Sequence, residues 1–219
     1  MEPDSVKRVV ILGDAGVGKT TLVTNLVTGY ISDSHCSVVQ FHPSTTHRQP
    51  TMGVEFYTKV VSYKHSVIRF QLLDIPGEHI YQPLLHSYIA GSDACIFLFD
   101  VNNQESFNGV ERWYSSLQQE RVPPHMLYYL VGNKVDMVGD TEQEAVLLQE
   151  CNKYAQIHHM NVAYISSLSI ENITSLFRMI TSDLSEVNET RATDTSCVFD
   201  PVERRHRTCL QLHIPFFCK

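Results

Sequence analysis

The chain alternates short apolar runs of strand length with segments in which apolar residues recur at helical spacing. Residues 9–12, 94–99 and 127–131 are almost wholly apolar, which is typical of strands buried on both faces of a parallel sheet. Between the last two runs, one helix face is formed by Val110, Trp113, Tyr114 and Leu117. Apolar residues at helical spacing predict two further helices, one over 22–27 that ends before Gly29 and one over 173–180. The capping box Thr141-x-x-Glu144 predicts the start of another.

One pair of segments breaks the parallel pattern. Residues 54–61 and 67–73 alternate apolar with polar side chains across a short polar turn, which predicts an antiparallel hairpin at the sheet edge. We therefore expect an α/β fold with a doubly wound, mostly parallel six-stranded sheet and one antiparallel edge hairpin. Because the apolar period fades from about Ser185, we assign residues 1–184 to one domain and residues 185–219 to a flexible C-terminal tail.

Composition excludes several classes of function. The chain has 219 residues and 43% hydrophobic residues, enough for one full core, and its net charge of −7 argues against nucleic-acid binding, which needs clustered Lys and Arg. No apolar stretch approaches the about 20 residues that cross a bilayer, and the first residues lack the features of a signal peptide. The six cysteines show no paired spacing, so we expect a cytoplasmic protein without disulfides or a zinc ribbon.

The stretch after the first predicted strand fits the phosphate-binding pattern G-x-x-x-x-G-K-[ST]. Its residues, which we assign to nucleotide binding together with the following Thr21, are Gly13, Asp14, Ala15, Gly16, Val17, Gly18, Lys19 and Thr20. The glycines let backbone amides wrap a phosphate chain at a helix N-terminus. Lys19 supplies positive charge to the outer phosphates, and the Thr20 hydroxyl can ligate Mg²⁺.

A second pattern, NKxD, follows the apolar run that ends at Val131 and comprises Asn133, Lys134 and Asp136. It lies at the carboxyl edge of the sheet, where open α/β folds bind ligands. Asp136 can accept hydrogen bonds from the ring N–H and amino group of guanine, Asn133 can meet the base edge, and the Lys134 stem can lie against the ring. The pattern selects guanine over adenine, which disfavours the alternative of an ATP-using kinase or ATPase.

A third group of residues points to a metal ion and an outer phosphate. Asp74 ends the second hairpin strand and would hold Mg²⁺ through water, and the Gly77 amide can approach a γ-phosphate because no side chain intervenes. The Thr51 hydroxyl would close over the metal when the γ-phosphate is present. The candidate metal ligands are thus Thr20, Thr51 and Asp74, and loops that a triphosphate orders and a diphosphate releases form a switch.

In this order the motifs resemble those of Ras-superfamily small GTPases, and most of all the Rab branch. The segments that carry the resemblance are GDAGVGKT, PTMGVEF, LLDIPGE, YIAGSDACIFLFDVNNQESF, NKVD and Ser166-Ser167-Leu168, within residues 6–184. The resemblance implies a P-loop NTPase fold of the small G-domain type that binds GTP and GDP with Mg²⁺ and hydrolyses GTP. It also implies base contacts from Ser166, Ser167 and Leu168, effector, exchange-factor and GTPase-activating (GAP) partners, and a role in vesicle or membrane traffic.

Three departures from the family pattern concern the ligand's surroundings. The long gap between Thr20 and Thr51 gives an extended first switch loop at about 30–50, which leaves open whether Tyr30 or Phe41 clamps the guanine. The loop contains four residues of types that can bind metals, His35, Cys36, His42 and His47. Their spacing matches no known ligand pattern, so a solvated insertion is favoured over a metal site. Leu168 stands where relatives carry a lysine, and Ala15 stands where many relatives carry a glycine beside the γ-phosphate, so the resemblance implies an added methyl group there.

The fourth departure concerns catalysis, for which the candidates are Lys19, Thr51, Gly77 and Glu78. Relatives carry a glutamine at the position of Glu78, and that glutamine orients the attacking water. An ionised carboxylate can accept a hydrogen bond from water, but it adds negative charge beside the γ-phosphate and donates no hydrogen bond. We expect atypical GTP hydrolysis, with a GTP-binding scaffold that hardly hydrolyses or cycles nucleotide as the alternative.

The tail offers a candidate for lipidation, Cys218, although the C-a-a-X pattern is missing. Prenylated Rab-like chains end in one or two cysteines. A lipid on Cys218, aided by Arg204, Arg205 and Arg207 on anionic lipids, would satisfy the two-signal rule for stable anchoring. An unmodified polar tail is the alternative. We expect a cytoplasmic protein that is peripheral on the cytosolic face of an intracellular membrane.

Overall fold

The structure is a computed structural model, and it describes residues 3–29, 51, 53–64, 66–139 and 142–193. At residues 79, 84, 142–146 and 187–193 it describes the backbone alone. The predicted first switch loop at 30–50, the aromatic and histidine candidates in it, and Cys218 with its neighbouring arginines lie outside the described residues.

Six strands form one sheet in the order β2-β3-β1-β4-β5-β6. Their bounds are β1 Ser5–Leu12, β2 Glu55–Tyr63, β3 Ser66–Asp74, β4 Ala94–Asp100, β5 Leu127–Asn133 and β6 Asn161–Tyr164. β2 pairs antiparallel with β3, whereas every other neighbouring pair is parallel. The predicted mixed sheet with an antiparallel hairpin at its edge is therefore confirmed.

The helices are α1 Lys19–Thr28, α2 Leu85–Ile89, α3 Gln104–Gln118, α4 Glu142–Ile157 and α5 Ile170–Thr193, with 3₁₀ helices at His79–Leu84 and Val135–Met137. α3 begins after Asn103, whose side chain accepts a hydrogen bond from the Glu105 amide at 3.0 Å, as an N-cap does. α1 ends at Thr28, the amide of the following Gly29 donates to Asn25 O, and Lys59 of β2 donates to the carbonyls of Val27 and Gly29. α4 begins where the capping box places it, but Thr141 itself lies outside the described residues.

The core has two layers, one on each face of the sheet. Val9 and Ile11 of β1 pack with α1 and α5, whereas Val10 and Leu12 pack with α2, α3 and α4. Successive side chains of a strand point to opposite faces, so a strand covered on both faces has to be apolar throughout. The central strands read as continuous apolar runs for this reason.

α5 runs further than the sequence boundary suggests. Leu184 is the last apolar residue of α5 whose side chain the structure describes, and it is buried. The helix continues to Thr193, into the segment that we assigned to the tail. Residues 185–193 contain neither proline nor glycine, so no helix-breaking residue stops the helix at the boundary that we predicted. Within the described part of the chain, no helix combines the length and apolar character that a membrane crossing needs.

Candidate functional site

The sequence-predicted site residues gather at one edge of the sheet, where the parallel strands end. The loop at 13–18 follows β1, Asp74 ends β3, Asn133 ends β5, and Ser166 comes shortly after β6. This is the edge at which open α/β sheets bind ligands. The fold thus brings together segments that lie far apart in the sequence.

Two glycines of the phosphate loop are required by close contacts and backbone conformation. Gly13 has φ +146°, and a Cβ there would lie 2.1 Å from the Leu98 carbonyl oxygen. Gly18 has φ +102°, and a Cβ there would lie 2.4 Å from Asn133 Nδ2. α1 begins directly after Gly18, so the positive end of a ten-residue helix meets the loop. This end of a helix favours an anion.

Lys19 is buried beneath the same loop. Its Nζ donates to the carbonyl oxygens of Gly13 at 2.7 Å and Asp14 at 2.9 Å. Burial lowers the pKa of Lys19 to about 8, against the opposing attraction of Asp74 and Asp14. Thr21 follows in the first turn of α1 and is half-buried, and Val17 is buried in the core.

The three predicted metal ligands meet at the start of α1. Thr20 Oγ1 donates to Asp74 Oδ2 at 2.5 Å and lies 2.9 Å from Thr51 Oγ1. Because the single hydroxyl proton of Thr20 is directed at Asp74, Thr51 is the donor to Thr20. Two hydroxyls and one carboxylate form an all-oxygen set, which suits the hard cation Mg²⁺. The residues present therefore fit that ion.

The segment after β3 lies directly on the phosphate loop. A Cβ at Gly77 would lie 2.2 Å from Ala15 N and 2.3 Å from the carbonyl carbon of Asp14, so only glycine fits there. Glu78 follows with an exposed side chain and precedes the 3₁₀ helix at His79–Leu84. The structure thus brings Gly77 and Ala15 into contact and places Glu78 at the solvent edge of the site.

The NKxD residues are held by contacts that the sequence did not indicate. Asn133 is fully buried, and its Nδ2 donates to Val17 O at 2.8 Å and to Ser167 Oγ at 3.2 Å. Its Oδ1 accepts from Ser167 N at 2.8 Å. Both N–H groups of the amide thus meet protein acceptors, where we expected contact with a base edge. Asp136 is exposed, so its carboxylate is the group of this motif most open to a base.

The side chain and the backbone of Lys134 both contact residues at the end of β4 and in the turn that follows it. Its φ is +65°, its Nζ lies 2.7 Å from Asp100 Oδ2, and its carbonyl oxygen accepts from Asn102 Nδ2 at 3.1 Å. Burial alone would raise the pKa of Asp100, but hydrogen bonds from Lys134 and Asn102 outweigh burial and lower it. Sequence reasoning missed Asp100 and Asn102; the signal was two polar residues at the carboxyl end of a buried strand.

Residues 166–168 are also held by hydrogen bonds from asparagines outside the segment. The Ser167 carbonyl accepts from Asn25 Nδ2 at 2.7 Å, and the Ser166 amide donates to Asn172 Oδ1 at 2.8 Å. The amide of Leu168, at the family's lysine position, donates to Ser166 Oγ at 3.3 Å, and Leu168 is 42% exposed. Asn25 and Asn172 were missed, although a buried asparagine on an apolar helix stripe such as α1 is a usable signal.

The Asp14 side chain faces helix α3. Its Oδ1 accepts from Trp113 Nε1 at 2.9 Å, and its Oδ2 accepts from Arg112 Nη2 at 3.0 Å. Asp14 was assigned to nucleotide binding as part of the loop; its carboxylate is instead bound to α3, which leaves its backbone for a ligand. Sequence reasoning took Trp113 only as a core residue.

Comparisons with known proteins agree with this geometry. The model of the Ras family matches residues 8–186 of the chain. Ras-related protein Rab-17 of Mus musculus is 27% identical over 190 residues, which is 87% of this chain and 79% of that protein. Ras-related protein Rab-22A of Homo sapiens is 31% identical over 170 residues, 78% of this chain and 79% of that protein. Ypt/Rab-type GTPase ypt71 of Schizosaccharomyces pombe is 32% identical over 195 residues, 85% of each chain.

Proposed function

The chain belongs to the Ras family, and from this premise we propose that it is a switch GTPase that binds GTP and GDP with Mg²⁺ and hydrolyses GTP. The observation that carries the proposal is the meeting of Thr20, Thr51 and Asp74 at the start of α1. Oxygen ligands from three separate segments beside a phosphate loop are what a nucleotide-bound Mg²⁺ requires. The resemblance to Rab proteins supports a role in vesicle or membrane traffic.

The order of the strands supports one orientation of the nucleotide. Asp74 ends β3, the phosphate loop follows β1, and Asp136 follows β5, so metal, phosphate and base groups succeed one another along the sheet edge. The phosphates would lie on the loop at 13–18, where Lys19 and the positive end of α1 offset their charge. Bound Mg²⁺ would neutralise charge on the outer phosphates. Asp136 would accept hydrogen bonds from guanine.

Hydrolysis would proceed by in-line attack of water on the γ-phosphate. Lys19 and the Gly77 amide would stabilise the charge that develops on the phosphate oxygens, and Thr51 would help to close the site. Glu78, the residue after Gly77, donates no hydrogen bond when it is ionised and adds negative charge nearby. We propose slow turnover for this reason, together with a weak response to a GAP that relies on glutamine.

Nucleotide preference tests the proposed function directly. Protein purified with its bound nucleotide is expected to release GDP or GTP, and GDP is expected to outcompete ADP by a wide margin. Asp136→Asn replaces an acceptor by a donor, so its preference should move from GDP to xanthosine diphosphate, which carries a carbonyl in place of the amino group. ADP displacing GDP at a similar concentration would contradict the proposal and favour an ATP-using enzyme.

A GTP-binding scaffold with little hydrolysis or nucleotide cycling is the second candidate. The tight contact between Gly77 and Ala15 favours it, because Ala15 carries a methyl group where space beside the γ-phosphate is already limited. The scaffold predicts that neither GTP hydrolysis nor GDP release is appreciable over hours. A switch predicts measurable rates for both, so single-turnover hydrolysis and nucleotide-release assays separate the two functions.

Exposed apolar residues near the predicted switch segments support binding of effector, exchange-factor or GAP proteins. Phe56 is 63% exposed, Ile80 is 71% exposed and Val60 is 50% exposed. The Phe56 ring also packs against Tyr88, with 6.2 Å between ring centroids. Large exposed apolar side chains are typical of protein contact sites. Phe56→Ala and Ile80→Ala are expected to weaken effector capture without changing GDP affinity.

We also keep two proposals about the C-terminal part of the chain. The first is that residues 1–184 form the GTPase domain and residues 185–219 the C-terminal tail, the first residues of which continue helix α5 to Thr193. The second is that a lipid on Cys218, with Arg204, Arg205 and Arg207, holds the protein on the cytosolic face of an intracellular membrane. Mass spectrometry of protein from its native cell tests the second proposal, and an unmodified Cys218 would rule it out.

A further inference from the structure

Helix α3 holds the phosphate loop through the Asp14 side chain. Trp113 and Arg112 each bind one oxygen of the Asp14 carboxylate, at 2.9 Å and 3.0 Å respectively. One turn earlier, a Cβ at Gly109 would lie 2.2 Å from Asp14 Oδ2. Glycine weakens a helix interior, so the space that the carboxylate needs explains why α3 has glycine at this position.

The two bonds to Asp14 differ in how well they are shielded from water. Trp113 is fully buried, and a buried indole N–H needs an acceptor. Arg112 is 42% exposed and also pairs with Glu105 at 3.0 Å, so its ion pairs are screened by solvent. The bond from Trp113 to Asp14 is therefore the stronger of the two.

The backbone around Asp14 is fixed from two further directions. Its carbonyl oxygen accepts from Lys19 Nζ at 2.9 Å, and Gly77 packs against the link between Asp14 and Ala15. The Asp14 carboxylate is also bound to α3, so α1, the segment after β3 and α3 together fix the position of this part of the loop. A shift of Asp14 would move the amides that face the phosphates.

We propose that Asp14 and Trp113, assisted by Arg112, form a clamp through which α3 positions the phosphate loop and slows release of the nucleotide. The inference rests on the proposed function, since it concerns the same nucleotide site. Asp14 acts here as a positioning residue, through its side chain, and not by touching the ligand with that side chain. Breaking the clamp should speed GDP release, because the loop amides then lose their fixed orientation towards the phosphates.

The test measures the GDP release rate of the full-length protein with Mg²⁺, using a fluorescent GDP analogue. Trp113→Phe keeps most of the ring volume and removes the N–H donor, and it is expected to speed release about tenfold. Of the two bonds to Asp14, Arg112→Gln removes only the exposed ion pair, and it is expected to speed GDP release by about threefold or less. Should Trp113→Phe fail to fold, Asp14→Ala removes the same bond from the other side.

Two further variants separate positioning from a loss of general stability. Tyr129→Phe removes a hydrogen bond of 2.9 Å to Asp183 at the opposite face of the sheet, so it should lower the unfolding temperature without speeding release. Gly109→Ala favours the helix but pushes a Cβ against the Asp14 carboxylate, so faster release is expected from a variant with better helix propensity. Trp113 is the one tryptophan of the chain, so the emission of Gly109→Ala should differ from that of the wild type.

The outcomes distinguish this inference from the function on which it rests. Wild-type protein that binds no guanine nucleotide would overturn both. Wild-type protein that binds GDP, with release from Trp113→Phe, Asp14→Ala and Gly109→Ala no faster than from Tyr129→Phe, would overturn the clamp alone. Faster release from the three clamp variants, at rates that do not follow their unfolding temperatures, is the result expected.

Discussion

Raising the pH above about 8 is expected to weaken GDP binding through Lys19. Burial lowers the pKa of this lysine to about 8 in the ligand-free site. Anionic phosphates favour the charged ammonium, so the bound pKa is higher. Below pH 8 the ammonium is protonated in both states, and GDP affinity should not depend on this group. Above pH 8 binding has to take up one proton, so affinity should fall by about tenfold per pH unit.

The structure gives the size of this effect. A return of the pKa from about 8 to its ordinary 10.5 corresponds to about 3 kcal/mol, at about 1.4 kcal/mol per pH unit. Between pH 7 and pH 9.5 the dissociation constant for GDP should rise by about 30-fold, and about half of the increase in its logarithm falls above pH 8.8. The same pKa shift has the opposite effect on the stability of the ligand-free protein. Burying the ammonium lowers the free energy of unfolding below pH 8, and this penalty is relieved as the pH rises from about 8 towards 10.5.

The assay is GDP titration calorimetry from pH 7 to pH 9.5 in pairs of buffers with different ionisation enthalpies, which measures proton uptake directly. Lys19→Arg is the matched control, because arginine stays charged across this range, so its profile should contain no contribution from titration of residue 19. Ionisation of the guanine ring would affect both proteins equally. A wild-type dissociation constant that changes less than threefold over this range, with no proton uptake at pH 9, would refute the reasoning.

Three further predictions concern other parts of the site. Glu78→Gln is expected to raise single-turnover GTP hydrolysis about tenfold or more, since an amide can donate to the transition state. Equal hydrolysis rates for wild type and Glu78→Gln, both alone and with a GAP, would contradict this. Asp100→Ala should weaken GDP binding about tenfold in calorimetry, because Lys134 loses the carboxylate that fixes its ammonium. Asp74→Ala should make GDP release equally fast with Mg²⁺ and with a chelator, and a retained Mg²⁺ effect would exclude Asp74 as a ligand.

The sheet could be predicted from the sequence because its causes are local. A strand covered on both faces must be apolar throughout, and a half-exposed hairpin must alternate, so the two kinds of strand are visible in the residue order. The end of α5 was not visible in the same way. The apolar period fades from about Ser185, but the backbone remains helical to Thr193, because no proline or glycine interrupts it there.

The contacts of the candidate site could be predicted only in part. The motifs indicated which residues gather at the sheet edge, since each motif follows a strand. They did not indicate that Asn133 binds Val17 and Ser167, or that Asp14 turns towards Trp113. Such side-chain partners lie far apart in sequence, and their pairing depends on how neighbouring helices and loops pack. Spacing along the chain contains no signal for it.

The contact between Gly77 and the phosphate loop also bears on how the site would tell GTP from GDP. A ligand shifts a conformational equilibrium only through interactions that differ between the two states. GTP and GDP differ by one phosphate, and Gly77 lies against Ala15, where that phosphate would come. We therefore expect GTP, more than GDP, to move the segment after β3. Glu78 is the next residue, so the same movement would determine how close its carboxylate comes to the γ-phosphate.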